Sequence, residues 1–113
     1  FDVWYGPAVL SQKPGERVSV VEGEDRTIIR LSSGVLDTFR HVCHVHFKVY
    51  KIERRRLVDE AMEMHQMRFF FPQEIAFFLE IAGFKMVHMG PFPEYKGELD
   101  EGTWNALVVA RGV

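Results

Sequence analysis

Cysteine is nearly absent from this 113-residue chain: Cys43 stands alone, so no internal disulfide can form. A reducing cytoplasm is the simplest setting for such a sequence. Apolar runs fall well short of the ~20 residues that a membrane-spanning helix needs, no signal-peptide pattern opens the chain, and no membrane partner is expected. Net charge is scarce too. Fourteen Lys and Arg against sixteen Asp and Glu leave −2, without the broad basic surface that non-specific nucleic-acid binding requires. The glycines are isolated in loops, and no internal repeat or low-complexity segment is visible. There is no cysteine pair, and no carboxylate cluster sits beside the histidines, so no metal site is expected. An initiator methionine is also missing. Phe1-Asp2-Val3-Trp4-Tyr5 opens like a strand cut in the middle, and the sequence reads as a fragment of a longer protein.

What is present is an ordinary globular composition, 47% hydrophobic and 27% charged, long enough for one domain. Its best-punctuated stretch is 67–90, which reads as strand, helix, strand. Pro72 suits the first helical position, where its missing N–H is not needed. Glu74 in the first turn favours the positive end of the helix dipole. Ile75, Phe78, Leu79 and Ala82 fall at i, i+3, i+4 and i+7 and form one apolar stripe. Gly83 follows as a left-handed C-terminal cap. The apolar run Phe84, Met86, Val87 and Met89 then reads as a buried strand ending at Gly90-Pro91.

Upstream, Gly6-Pro7 ends the first strand, and residues 6–15 read as a polar connector. Strands are expected at 17–22 and 26–32, separated by a Gly23-Glu24-Asp25 turn, with a further turn at Ser32-Ser33-Gly34. The next run, 38–53, alternates with period two. It sets Cys43, Val45, Phe47 and Val49 against His44, His46, Lys48 and Tyr50. Arg54-Arg55-Arg56 turns the chain into a return strand over 57–70, giving an antiparallel meander. The terminal stretches 1–5, 84–89 and 103–111 read instead as strands of a sheet covered on both faces.

The run Arg68-Phe69-Phe70-Phe71-Pro72-Gln73-Glu74-Ile75, continued by Leu79-Glu80-Ile81-Ala82-Gly83-Phe84, resembles the C-terminal signature of class I S-adenosylmethionine-dependent methyltransferases. Phe92-Pro93, an acidic loop and the closing stretch from Thr103 to Arg111 match it as well. The resemblance covers about 63–111, and more loosely 1–5. It implies a mixed α+β or α/β fragment: an antiparallel β-meander as a lid-like insertion, plus the last helix and final two strands of a Rossmann-like sheet. Its divisions are 1–5 as the end of a core strand, 6–15 as connector, 16–71 as the substrate-lid sheet, and 72–113 as the C-terminal helix and hairpin. It also implies a methyltransferase acting on a small-molecule acceptor with S-adenosylmethionine as cofactor. No cofactor-binding residue is assignable in this piece, because the family's Gly-rich turn is absent. The fragment alone is therefore expected to be inactive. The alternative is a non-catalytic α+β binding or dimerisation module.

No catalytic residue is assigned. Candidate substrate contacts are Glu63, His65 and Arg68, which match the family's acidic-x-His-x-x-Arg pattern at the cleft edge. Trp4 and Tyr5 join them at the carboxyl end of a strand, where open α/β sheets bind ligands. Packing and cross-strand ion pairing are the competing explanations for all five. His44 and His46 read first as residues of a solvated sheet face. A metal pair with His41 or His65, or a place in the lid, are the other readings. Arg54–Arg56 with Lys48 and Lys51 reads as a solvated turn before it reads as a phosphate contact. The aromatic group Phe69–Phe71, Phe77, Phe78 and Phe84 is expected in the core, or exposed as a patch where the rest of a longer protein covers it. Bare sheet edges predict a homodimer or strand-swapped assembly.

Overall fold

Alternating apolar residues and the turns between them produce seven strands and two helices in the computed structural model, which describes residues 1–113. In chain order these are β1 (Asp2–Tyr5), α1 (Gly6–Gln12), β2 (Arg17–Glu22), β3 (Arg26–Asp37), β4 (Val42–Glu53), β5 (Arg56–Phe70), α2 (Pro72–Ile81), β6 (Phe84–Pro91) and β7 (Asn105–Gly112). The hydrogen-bonded strand order is β2-β3-β4-β5-β1-β7-β6. The chain divides into two compact units, one formed by Phe1–Lys13 with Arg68–Val113 and the other by Pro14–Met67.

In the first unit β1 runs parallel to the end of β5, with Trp4 opposite Phe69 and Tyr5 opposite Phe70. β7 is antiparallel to both β1 and β6, so the ladder is mixed. Its buried apolar residues are Ala8, Val9, Phe69, Ile75, Ala106 and Val108. Full burial of a large apolar side chain is worth about 1.5–3 kcal/mol, so Phe69 and Val9 hold α1 and the strands together. The expected connector over 6–15 is helical for its first part. Pro7 sits at the start of α1, and burying Ala8 and Val9 outweighs the polar look of Ser11, Gln12 and Lys13.

α2 begins and ends where its punctuation indicates. The Phe71 N–H donates to Glu74 Oε1 at 3.1 Å, which satisfies one of the helix's orphan donors. Gly83 takes φ +86° and its N–H bonds to the Glu80 carbonyl at 3.1 Å. The apolar stripe is covered only in part: Ile75 is buried, whereas Phe78 and Ala82 are exposed. Of the aromatics expected in the core or else as an exposed patch, Phe77, Phe78 and Phe84 are exposed, as is Ile81 at 70%. β6 likewise is not covered on both faces, because its Phe84, Val87 and neighbouring residues meet no second layer.

The second unit is built on β3. β2 and β3 are antiparallel from Arg17 opposite Ser32 to Glu22 opposite Thr27. β3 and β4 pair without interruption from Arg26 opposite Glu53 to Asp37 opposite Val42. That ladder overrides the turn expected at Ser32-Ser33-Gly34, which lies inside β3. Gly34 is there for space: a Cβ would lie 2.6 Å from Pro14 Cβ and 3.1 Å from Cys43 Sγ. The real turn follows β3. The Asp37 carboxylate accepts the N–H groups of Phe39 at 3.1 Å and Arg40 at 3.0 Å, and His41 takes φ 56°. β4 therefore starts at Val42 rather than residue 38. Arg54 and Arg55, at φ 50° and 64°, make the tight turn into β5, and positive φ at both central residues matches strand twist in a two-residue hairpin.

β5 breaks the simple alternation. Val58 lines a concavity with Ile28 and Glu53, while Ala61 and Glu63 line a second one with Arg30, Phe47 and Val49. Ile28, Arg30, Phe47, Val49 and Glu53 share one sheet face by their register. Strict period two places Val58 and Ala61 on opposite faces, so one extra residue is taken up between them. Within this stretch the Glu60 N–H donates to the Asp59 carboxylate at 2.8 Å.

Candidate functional site

Glu63 and His65 stand on the sheet face that carries Phe47. Glu63 Oε2 lies 3.1 Å from His65 Nε2, and the His65 and Phe47 rings meet edge to face with centroids 5.8 Å apart. A carboxylate only accepts hydrogen bonds, so Nε2 is the donor in this contact, and whenever the ring is neutral its lone pair lies on Nδ1. Arg30, Phe47, Val49, Ala61 and Glu63 line a concavity of about 340 Å³ here. It combines a proton acceptor, an aromatic wall, an apolar floor and a cation on one sheet face.

The other sequence candidates lie elsewhere. His44 and His46 pair with Val35 and Ser33, on the sheet face opposite Phe47. No group of three or more His, Cys, Asp or Glu side chains is arranged to hold a metal. Arg68 belongs to the first unit. Its guanidinium lies over the Phe70 ring at 4.9 Å and the Phe78 ring at 5.3 Å, a stacked position that keeps its donors in solvent. The Trp4 ring meets Trp104 edge to face at 5.2 Å, and the Tyr5 N–H donates to the Trp104 carbonyl at 2.8 Å. Both of these residues pack within their unit. Cys43 is fully buried, and burial pushes its thiol up, which opposes a nucleophilic role. Arg54 and Arg56 line a larger concavity of about 1050 Å³ at the hairpin tips, together with Glu22, Glu24, Asp25 and Glu53. This mixed rim cancels the local basic charge. Arg30 was not singled out by sequence; its register opposite Val49 was the missing signal.

Cofactors of open α/β sheets bind at the carboxyl ends of parallel strands. Here β1 and β5 continue into Gly6 and Phe71, and the Phe71 ring fills the space beside Gly6, where a Cβ would lie 2.7 Å from it. Aromatic carbon occupies that end, and no Gly-rich turn follows any strand.

No protein-family model and no curated protein sequence matches the chain. Solved structures do. Over 98% of its length it is similar to the CcbJ methyltransferase from Streptomyces caelestis, with a TM-score of 0.70 at 19% identity. It is similar over 98% to an S-adenosylmethionine-dependent methyltransferase from Clostridium acetobutylicum, with a TM-score of 0.73 at 11% identity. A sugar N-methyltransferase from a Streptoalloteichus species matches 83% of the chain, with a TM-score of 0.59 at 18% identity, and the chain covers 34% of it. The chain spans 41% and 42% of the first two proteins. Its mixed seven-stranded sheet with two helices thus has the fold of a portion of the S-adenosylmethionine-dependent methyltransferases.

Proposed function

We propose that the chain is the C-terminal portion of an S-adenosylmethionine-dependent methyltransferase, with residues 16–71 acting as a lid over a small-molecule methyl acceptor. The observation that carries this reading is the Glu63–His65 pair at 3.1 Å beside Phe47, on a chain whose fold neighbours are methyltransferases. Two of those neighbours are a sugar N-methyltransferase and an amino pentose methyltransferase with S-adenosylmethionine bound, and an amine acceptor suits this pair. The Glu63 carboxylate and the Phe47 ring attract an ammonium group, and the His65 Nδ1 takes its proton, a contribution of typically 10²–10⁴-fold in rate. Arg68, Trp4 and Tyr5 are proposed substrate-side contacts of the assembled protein. The cofactor is held by the remainder of a longer, cytoplasmic protein, and the 113-residue piece associates as a homodimer or strand-swapped assembly.

Calorimetric titration tests the division of labour. S-adenosylmethionine and S-adenosylhomocysteine are expected to bind a longer protein containing this chain and not the 113-residue chain. His65→Gln in the longer protein should lower kcat about 10²-fold or more and leave cofactor affinity unchanged. Binding to neither protein would sink the methyltransferase reading. The surviving account would be a non-catalytic binding or dimerisation module, which the exposed valines of β2 favour.

A further inference from the structure

On the sheet face that carries Phe47 and Glu63, β2 and β3 present a checkerboard of two guanidinium and two hydroxyl groups. Arg17 is opposite Ser32 and Ser19 is opposite Arg30. Directly paired side chains in an antiparallel ladder are about 5 Å apart at Cβ and diagonal ones about 7–8 Å. The two arginines therefore stand on one diagonal and the two serines on the other, around a common centre. Arg17 and Arg30 form no ion pair. The acids sharing their face are occupied: Glu53 with Lys51 at 3.4 Å and Arg26 at 4.0 Å, and Glu63 with His65 at 3.1 Å. Arginines without carboxylate partners, flanked by hydroxyls on a rigid pleat, suit a tetrahedral dianion, which accepts forked N–H donors and O–H donors together.

We propose that Arg17, Ser19, Arg30 and Ser32 bind a phosphate ester. The register continues from Arg30 to Val49 and from Ser32 to Phe47, so the organic part of the ester lies along the concavity that Phe47, Val49 and Ala61 line. Strands are about 4.8 Å apart, and β4 separates β3 from β5. The phosphate therefore sits roughly 10 Å or more from the Glu63–His65 pair. An acceptor carrying an amine at one end and a phosphate ester at the other, on a carbon skeleton long enough to separate them by that distance, engages both sets of side chains. That the phosphate belongs to the methyl acceptor rests on the proposed function; that the four side chains bind it does not.

The test is an NMR titration of the labelled 113-residue chain with phenyl phosphate, inorganic phosphate and benzoate. Phenyl phosphate should bind most tightly and shift the Arg17 and Arg30 side-chain Nε–H signals together with the Phe47 ring. Inorganic phosphate should shift the arginines alone, and benzoate should bind weakest. Arg17→Ala and Arg30→Ala should each lower phenyl phosphate affinity about tenfold. Arg54→Ala removes the same charge at the hairpin tip and should leave affinity unchanged. Equal losses in all three variants would reduce the effect to general electrostatics and overturn the site, as would shifts confined to other residues or no binding at all. Failure of S-adenosylmethionine to bind the longer protein, with these shifts intact, would reject the methyltransferase reading and leave the phosphate site standing.

Discussion

Asp37 shows how one side chain sets a turn. Its Oδ1 accepts two backbone N–H groups, and its Oδ2 pairs with the Arg40 guanidinium at 2.9 Å. The hydrogen bond from the Arg40 side chain, then the one from its backbone, hold the carboxyl below the usual aspartate range. A carboxyl whose folded value is depressed stabilises the fold above its unfolded value, and that stability is lost as pH falls through the folded one. Carbon NMR titration should therefore show Asp37 deprotonating at lower pH in the native chain than in Arg40→Ala. Identical midpoints would remove Arg40 as the cause. At this scale the sequence was partly legible. The Glu63–His65 pairing follows from i, i+2 spacing on a strand. The sheet face the pair occupies was hidden, because no local signal marked the break in alternation between Val58 and Ala61.

Among the elements, the two glycines Gly34 and Gly83 separate conformational need from spatial need. Gly83, past the end of α2, adopts φ +86° with open space around it, so Gly83→Ala should cost about 1–2 kcal/mol through backbone strain alone. Gly34 lies in β3 against the Pro14 ring and Cys43, and Gly34→Ala should cost about 1–3 kcal/mol by overpacking. Chemical denaturation of both variants checks this, and a neutral Gly34→Ala would mean that the Pro14 segment yields freely. The α2 boundaries were readable because Pro72, Glu74 and Gly83 act on the backbone within a turn or so of themselves. Gly34 looked like a turn residue because its reason, Pro14, lies twenty positions away. α1 was missed for a related cause: the burial of Ala8 and Val9 depends on strands that are distant in sequence.

For the molecule as a whole, the outstanding property is apolar surface in the first unit. Phe77, Phe78, Ile81, Phe84 and Val87 are all at least 41% exposed, and apolar exposure on this scale favours association. The 113-residue chain should therefore self-associate with concentration in sedimentation velocity, and Phe77→Ser with Ile81→Ser should shift it toward monomer. A monomer at all concentrations would show that scattered exposure is tolerated. The sequence by itself determined the strand, helix, strand run from Met67 to Gly90 and the resemblance it carries, because periodicity and capping are local. Only the tertiary structure decided which aromatics are core and that Arg17 and Arg30 stand on one face with Phe47. It also separated His44 and His46 from His65. Register between strands, and the presence or lack of a second layer, depend on contacts that no single stretch of sequence encodes.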